Sequence, residues 1–174
     1  MSVAYYDIAE TPFGPMLVAG DGTRLVAIKF GVDRAHLPEA VEALDRELRG
    51  AYGLVHDPKR VKTLIKQLND YLSGKRTAFE VDYDISWMTP FRRRVMEECA
   101  KIPRGQTSTY AELARRAGNA KAFRAVGATM ATNPIPVVVP CHRVLGSDGT
   151  LHGFGGGLDM KAQLLALEGV TLPV

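Results

Sequence analysis

The sequence predicts two domains, a small α/β domain over residues 1–86 and a mainly α-helical domain over residues 87–174. Three observations predict this division. The first 30 residues hold three β-type runs punctuated by turn signals, and helix-periodic segments follow them. Around Ser86-Trp87-Met88 the pattern changes to short helices separated by glycine and proline turns. The charge changes as well. Residues 1–88 carry 11 Lys and Arg against 13 Asp and Glu, whereas residues 89–174 carry 11 against 6.

Taken in order, residues 3–9, 16–19 and 25–30 read as strands, and Asp21-Gly22 favours a tight hairpin between the last two. The pairing expected from these hairpins is mainly antiparallel. Over residues 38–49, Val41, Leu44 and Leu48 mark one helix face, which Gly50 ends. Residues 51–56 suit a short strand. Over residues 59–72, Val61, Leu64, Ile65, Leu68 and Leu72 share a face of a second helix, and residues 79–85 alternate as a further strand. This half contains no recognisable site.

In the second half, Thr89 can cap a helix and Pro90 suits its first position. Phe91, Val95 and Cys99 then share a face, so Cys99 reads as a core thiol. Residues 109–117 form a short helix, Gly118-Asn119 break it, and residues 120–131 form the next: a helix-turn-helix. The second helix is rich in Ala and Gly, with Lys121 and Arg124 one turn apart. Within 101–124, Lys101, Arg104, Arg115, Arg116, Lys121 and Arg124 oppose Glu112 alone, an electrostatic footprint for a polyanion. Asn133 opens a proline-rich connector, residues 133–136, and residues 137–139 read as a buried strand stopped by Pro140. Residues 158–167 read as a last helix, closed by Glu168.

That strand leads into Cys141-His142-Arg143. A thiol is a nucleophile only as thiolate and needs a base or positive charge nearby, which His142 and Arg143 can supply. Taken alone, the pair reads sooner as a buried structural cysteine beside a surface histidine and arginine, and the flanking sequence is what turns the reading towards a nucleophile. Glu168 sits at a helix C-terminus, where the macrodipole disfavours a carboxylate, so another partner is expected for it.

Composition bounds the function. The chain is 46% hydrophobic and 24% charged, as expected of a soluble globular protein, and no apolar run reaches membrane-spanning length. Two cysteines, 42 residues apart, form no disulfide framework and no zinc pattern. A reducing intracellular compartment is expected: cytoplasmic, or nuclear in a eukaryote.

Several motifs in order and at matching spacing resemble those of the O6-alkylguanine-DNA alkyltransferases. They are I-P-R-G-Q-T at 102–107, T-Y-A-E-L-A at 109–114, R-A-V-G-A-T-M at 124–130, N-P-I-P at 133–136, P-C-H-R-V at 140–144 and G-F-G-G-G-L at 153–158. The resemblance spans about residues 89–169, and the first half resembles the family only loosely. It implies a ribonuclease H-like first domain and a winged-helix-like helix-turn-helix in the second. It implies repair by direct damage reversal: O6-alkylguanine, and O4-alkylthymine too, is flipped from duplex DNA through the minor groove, and its alkyl group passes irreversibly to Cys141. Under it, His142 is the base, oriented by Glu168 and acting through a bridging water, and Asn133 couples the connector to the reactive segment. Tyr110 contacts the flipped base, Arg124 fills its place in the stack, and the Gly155 amide faces the guanine oxygen. Asn119, Lys121, Ala122, Val144 and Ser147 fall at DNA- or base-contacting positions. The family usually has an aromatic, often tyrosine, and often a serine where this chain has Phe154 and Gly155, so one hydroxyl contact is missing. No cofactor and no metal are implied, since residues 1–88 lack the cysteine that zinc-bearing relatives use. A monomer is expected. Two other readings stand beside this one: a non-catalytic lesion binder of the same architecture, and a cysteine hydrolase or peroxidase built on Cys141 and His142.

Overall fold

The structure is a computed structural model and describes residues 2–172. The chain divides into two compact units, Met1–Trp87 and Met88–Val174. No helix among the described residues is long and apolar enough to cross a membrane.

The first unit is built on a five-stranded sheet. Strands β1 (Ser2–Thr11), β2 (Gly14–Gly20) and β3 (Arg24–Phe30) form an antiparallel meander, with Ile8 opposite Leu17 and Val18 opposite Ile28. Helix α1 (Leu37–Glu47) leads to β4 (Tyr52–His56), and helix α2 (Pro58–Leu72) leads to β5 (Asp82–Tyr83). The order is β4-β1-β2-β3-β5. Both edge strands pair in parallel, β4 with β1 and β5 with β3, so the sheet is antiparallel at its centre and mixed at its edges. The strand expected over residues 79–85 shrinks to Asp82–Tyr83.

Strand alternation sends successive side chains to opposite faces. One face packs Ala4, Leu17, Ala19 and Ala27 with Leu44 of α1 and Leu48 just after it, and Val26 joins this core where the β2–β3 register shifts. On the other, α2 packs on β1 and β2 so closely that a Cβ at Gly20 would stand 2.4 Å from Leu64 Cδ1. Asp57 starts α2 by accepting from the Lys59 amide, and Pro58 takes the first helical position. The Tyr52 hydroxyl donates to buried Asp84, which also accepts from the Ser86 amide.

The second unit begins with α3 (Pro90–Ala100), whose buried face is Val95, Met96 and Cys99. Strand β6 (Ser108–Thr109) precedes α4 (Tyr110–Arg116), and α5 (Phe123–Ala131) packs against both α3 and α4. Thr109 caps α4 by accepting from the Glu112 amide at 3.1 Å. Gly118, at φ +93°, reverses the chain after α4. Asn119 then accepts from the Lys121 amide, so α5 starts at Phe123, three residues later than expected. A 3₁₀ turn (Cys141–Arg143) runs into β7 (Val144–Leu145), which pairs in parallel with β6. Helix α6 (Leu158–Leu167) packs on the 3₁₀ turn.

The buried strand expected at residues 137–139 does not form. Val137 and Val138 make a turn, Val137 at φ +72°, and only an isolated bridge joins Pro136 to Val139. Three prolines, Pro134, Pro136 and Pro140, remove ladder donors from this stretch and restrict the residues before them. Asn133 satisfies its backbone instead: Nδ2 donates to the Val139 carbonyl at 2.9 Å, and Oδ1 accepts from the Ile135 amide at 2.9 Å.

Candidate active site

Cys141 therefore stands on the first residue of a tight 3₁₀ turn rather than at a strand end. Its amide donates to the Val139 carbonyl at 2.8 Å, the same oxygen that Asn133 holds. The residue is 5% exposed. Burial pushes its thiol up to about 11, while the Asn133 side chain and the Lys161 ammonium pull the other way.

His142 is fully buried, and its Nε2 lies 2.9 Å from Oε1 of Glu168. Its Nδ1, also buried, has no hydrogen-bond partner among the described residues. Burial holds the imidazole below its ordinary pKa, so it is neutral at pH 7. The Glu168 contact is then a hydrogen bond to a neutral ring, because the charge of this carboxylate is already matched by Arg143. Arg143 donates from Nε to Oε1 at 2.8 Å and from Nη2 to Oε2 at 2.7 Å, and from Nη1 to the Ile102 carbonyl at 2.6 Å. With Nε2 as donor, Nδ1 is the free acceptor of the ring.

Two members of this site do not stand out from sequence. Arg143 reads there only as a source of positive charge, and its fork on Glu168 depends on the C-terminus of α6 meeting the 3₁₀ turn. Lys161 escapes the sequence reading altogether, although a signal exists. It shares a face of α6 with Leu158, Leu164 and Leu165, and a lysine in that stripe must find partners. Fully buried, it donates to the carbonyls of Val144 at 2.7 Å and His152 at 2.9 Å. Burial lowers it to about 8.

Tyr110 opens α4, half-buried, with its phenol pushed up by burial. Lys161 Nζ lies 5.8 Å from its ring centroid, and the His152 ring stands edge-on to it at 6.1 Å. His152 Nε2 is 3.1 Å from the Thr150 hydroxyl. The His152 ring also fills the space beside Gly146, where a Cβ would come within 2.4 Å of it.

The predicted residues thus fall into two sets. Hydrogen bonds connect Asn133, Cys141, His142 and Glu168 through the turn, and Val144 and Tyr110 reach the same place through Lys161. The Val144 side chain is buried, and its carbonyl is engaged. Asn119, Lys121 and Arg124 are exposed and Ala122 is half-buried, all at the turn into α5. Ser147 and Gly155 are exposed on the segment between β7 and α6. Cys99 is fully buried on α3. Among the described residues, no three His, Cys, Asp or Glu side chains group as a metal site.

Fold and site together define a two-domain protein that joins a basic helix-turn-helix to a buried cysteine, histidine and glutamate. The chain belongs to the 6-O-methylguanine DNA methyltransferase family: the ribonuclease-like domain matches residues 4–85 and the DNA binding domain matches residues 90–170. It is similar to methylated-DNA--protein-cysteine methyltransferases from Methanosarcina barkeri, 38% identical over 94% of this chain and 96% of the relative, and from Mycobacterium leprae, 38% identical over 91% and 88%. Among solved structures it is similar to Mycobacterium tuberculosis OGT in complex with DNA, with TM-score 0.78, 36% identity and coverage of 94% and 92%. It is also similar to the O6-methylguanine-DNA methyltransferase of Pyrococcus kodakaraensis, with TM-score 0.70, 28% identity and coverage of 97% and 100%.

Proposed function

We propose that this protein repairs DNA by direct damage reversal, taking the alkyl group of an O6-alkylguanine onto Cys141. The observation that carries this reading is the free Nδ1 of His142, held ready by Glu168 in the residue after the buried thiol. A water between Nδ1 and Sγ would pass the thiol proton to the ring, leaving imidazolium beside Glu168. The thiolate then attacks the alkyl carbon: an S–C bond forms, the O6–C bond breaks, and the electron pair leaves on the guanine. The Tyr110 phenol, which burial keeps protonated, and the Gly155 amide serve as donors to the departing base.

The reactive carbon is unreachable inside a duplex, so the nucleotide must turn out of the stack, at a cost of about a few kcal/mol. Arg124 takes its place, and Asn119, Lys121, Ala122 and Ser147 hold the flanking strand. The exposed, small-residue side of α5 suits the narrow minor groove. O4-alkylthymine is a second substrate by the same chemistry. The product is a thioether that water cannot displace, so each molecule acts once. The protein works as a monomer in a reducing intracellular compartment, without a cofactor.

Intact-protein mass with peptide mapping, after mixing with duplex DNA bearing one O6-methylguanine, tests this directly. One methyl on Cys141, stopping at one per protein, is the expected result. Tight lesion binding at unchanged mass would make the protein a sensor, and neither binding nor a mass change would return attention to thiol hydrolysis.

A further inference from the structure

Helix α5 buries Val126, Thr129 and Met130 and turns Phe123, Arg124, Ala125, Ala128 and Ala131 outward. Beyond Arg124 that outward arc carries nothing larger than a methyl group. Gly127, one turn after Phe123, would direct a Cβ into open space, with nothing within 4 Å, so internal packing does not require glycine there. The helix therefore presents a flat surface with two bulky side chains at its start. One is Arg124. The other is Phe123, which is 50% exposed, with Lys121 two residues before it. A lone exposed apolar residue is ordinary by itself. A half-exposed phenyl beside the basic tip of an otherwise flattened DNA-facing helix has a use.

We propose that Phe123 is a second wedge. From the minor groove its ring stacks on the base pair next to the extruded nucleotide, while Arg124 occupies the vacated position. The inference rests on the proposed function and extends it to how the duplex is held open. Adjacent helical residues diverge by about 100°, so the two side chains reach different base steps rather than compete for one. The division of labour follows from their chemistry. Arginine answers the orphan base and phosphates with charge and hydrogen bonds. An apolar ring prises a stacked step apart and covers either base face without regard to sequence.

The test compares single-turnover methyl transfer from O6-methylguanine in duplex and in single-stranded oligonucleotides, where no pair has to be opened. In Phe123→Ala the ratio of duplex to single-strand rate should fall about tenfold, as expected for loss of one stacking contact. Phe123→Leu should fall between, and Phe123→Trp should restore the ratio. The indole introduced by Phe123→Trp should lose emission on binding the lesion duplex, against the background of Trp87, the single native tryptophan. An unchanged ratio in Phe123→Ala, a matched fall on both substrates, or an unquenched indole would overturn the wedge. If the native protein transfers nothing from either substrate, the functional reading falls and takes the wedge with it. An unchanged ratio in an active protein removes the wedge alone.

Discussion

Glu168 accepts from His142 and Arg143 on the same oxygen, Oε1, at 2.9 and 2.8 Å, while its other oxygen accepts from Arg143 Nη2 at 2.7 Å. The glutamate thus serves two neighbours that differ in charge. It neutralises the guanidinium and orients the imidazole.

Replacing Glu168 by Gln should damage both. The amide can still accept a hydrogen bond from Nε2, but Arg143 keeps a buried charge without its counterion. Breaking such a pair costs about 3–5 kcal/mol, and loss of the negative charge beside the imidazolium that forms during transfer slows chemistry by about 10- to 100-fold. Urea denaturation and single-turnover transfer measure the two effects separately.

His142 gives the protein a pH signature. Its pKa is depressed by burial, so the unfolded chain takes up this proton as pH falls through about 6.5 and the folded chain does so only lower. Over that window the unfolded state binds more protons, and the free energy of unfolding therefore rises with pH. Stability from this group is fully present above pH 6.5 and is lost on acidification towards the folded pKa. His142→Gln should flatten the slope in denaturation midpoints collected from about pH 7 down to about pH 5.

Asn133→Ala should cost about 1–3 kcal/mol, the penalty for leaving the buried Ile135 amide without an acceptor. It should also slow transfer, because the Val139 carbonyl that receives the Cys141 amide loses its other donor. A variant that loses stability while keeping the native rate would show that Asn133 shapes the connector without placing the thiol.

Lys161→Met removes the cation that favours the Cys141 thiolate and frees two carbonyls that tie β7 to the segment before α6. Transfer at pH 7 should fall about tenfold, in the range of other supporting residues around a reactive centre. Amide exchange over residues 146–157 should quicken. An unchanged rate with faster exchange would leave Lys161 a purely structural strut.

Much of this is legible in the sequence because it is local. The helix-turn-helix follows from Thr109, Gly118 and the small residues of α5, and Cys99 from its spacing with Val95. Glu168 stands out as a carboxylate on the wrong end of a helix. What cannot be read is what depends on chain segments meeting. The parallel pairing of β4 with β1 and of β5 with β3 joins residues far apart in sequence. The turn at Val137 defeats the β-branched signal, because Asn133 and the prolines offer the backbone a better set of hydrogen bonds than a ladder would. Lys161 falls outside the expectation because lysine is so seldom buried that its place in an apolar stripe does not draw the eye.

The near-complete enclosure of Cys141 bears on how long such a molecule keeps. On the proposed function each copy is spent by one event, so any electrophile or oxidant that found the thiol first would waste the whole protein. A residue that is 5% exposed, its thiol held protonated with a pKa of about 11, is a poor target for peroxide or a stray alkylating agent in solution. On that reading only an alkylated base turned out of the duplex, with His142 and its bridging water in place, meets it as thiolate. The same walls that raise the barrier to ionisation give the unused protein its shelf life.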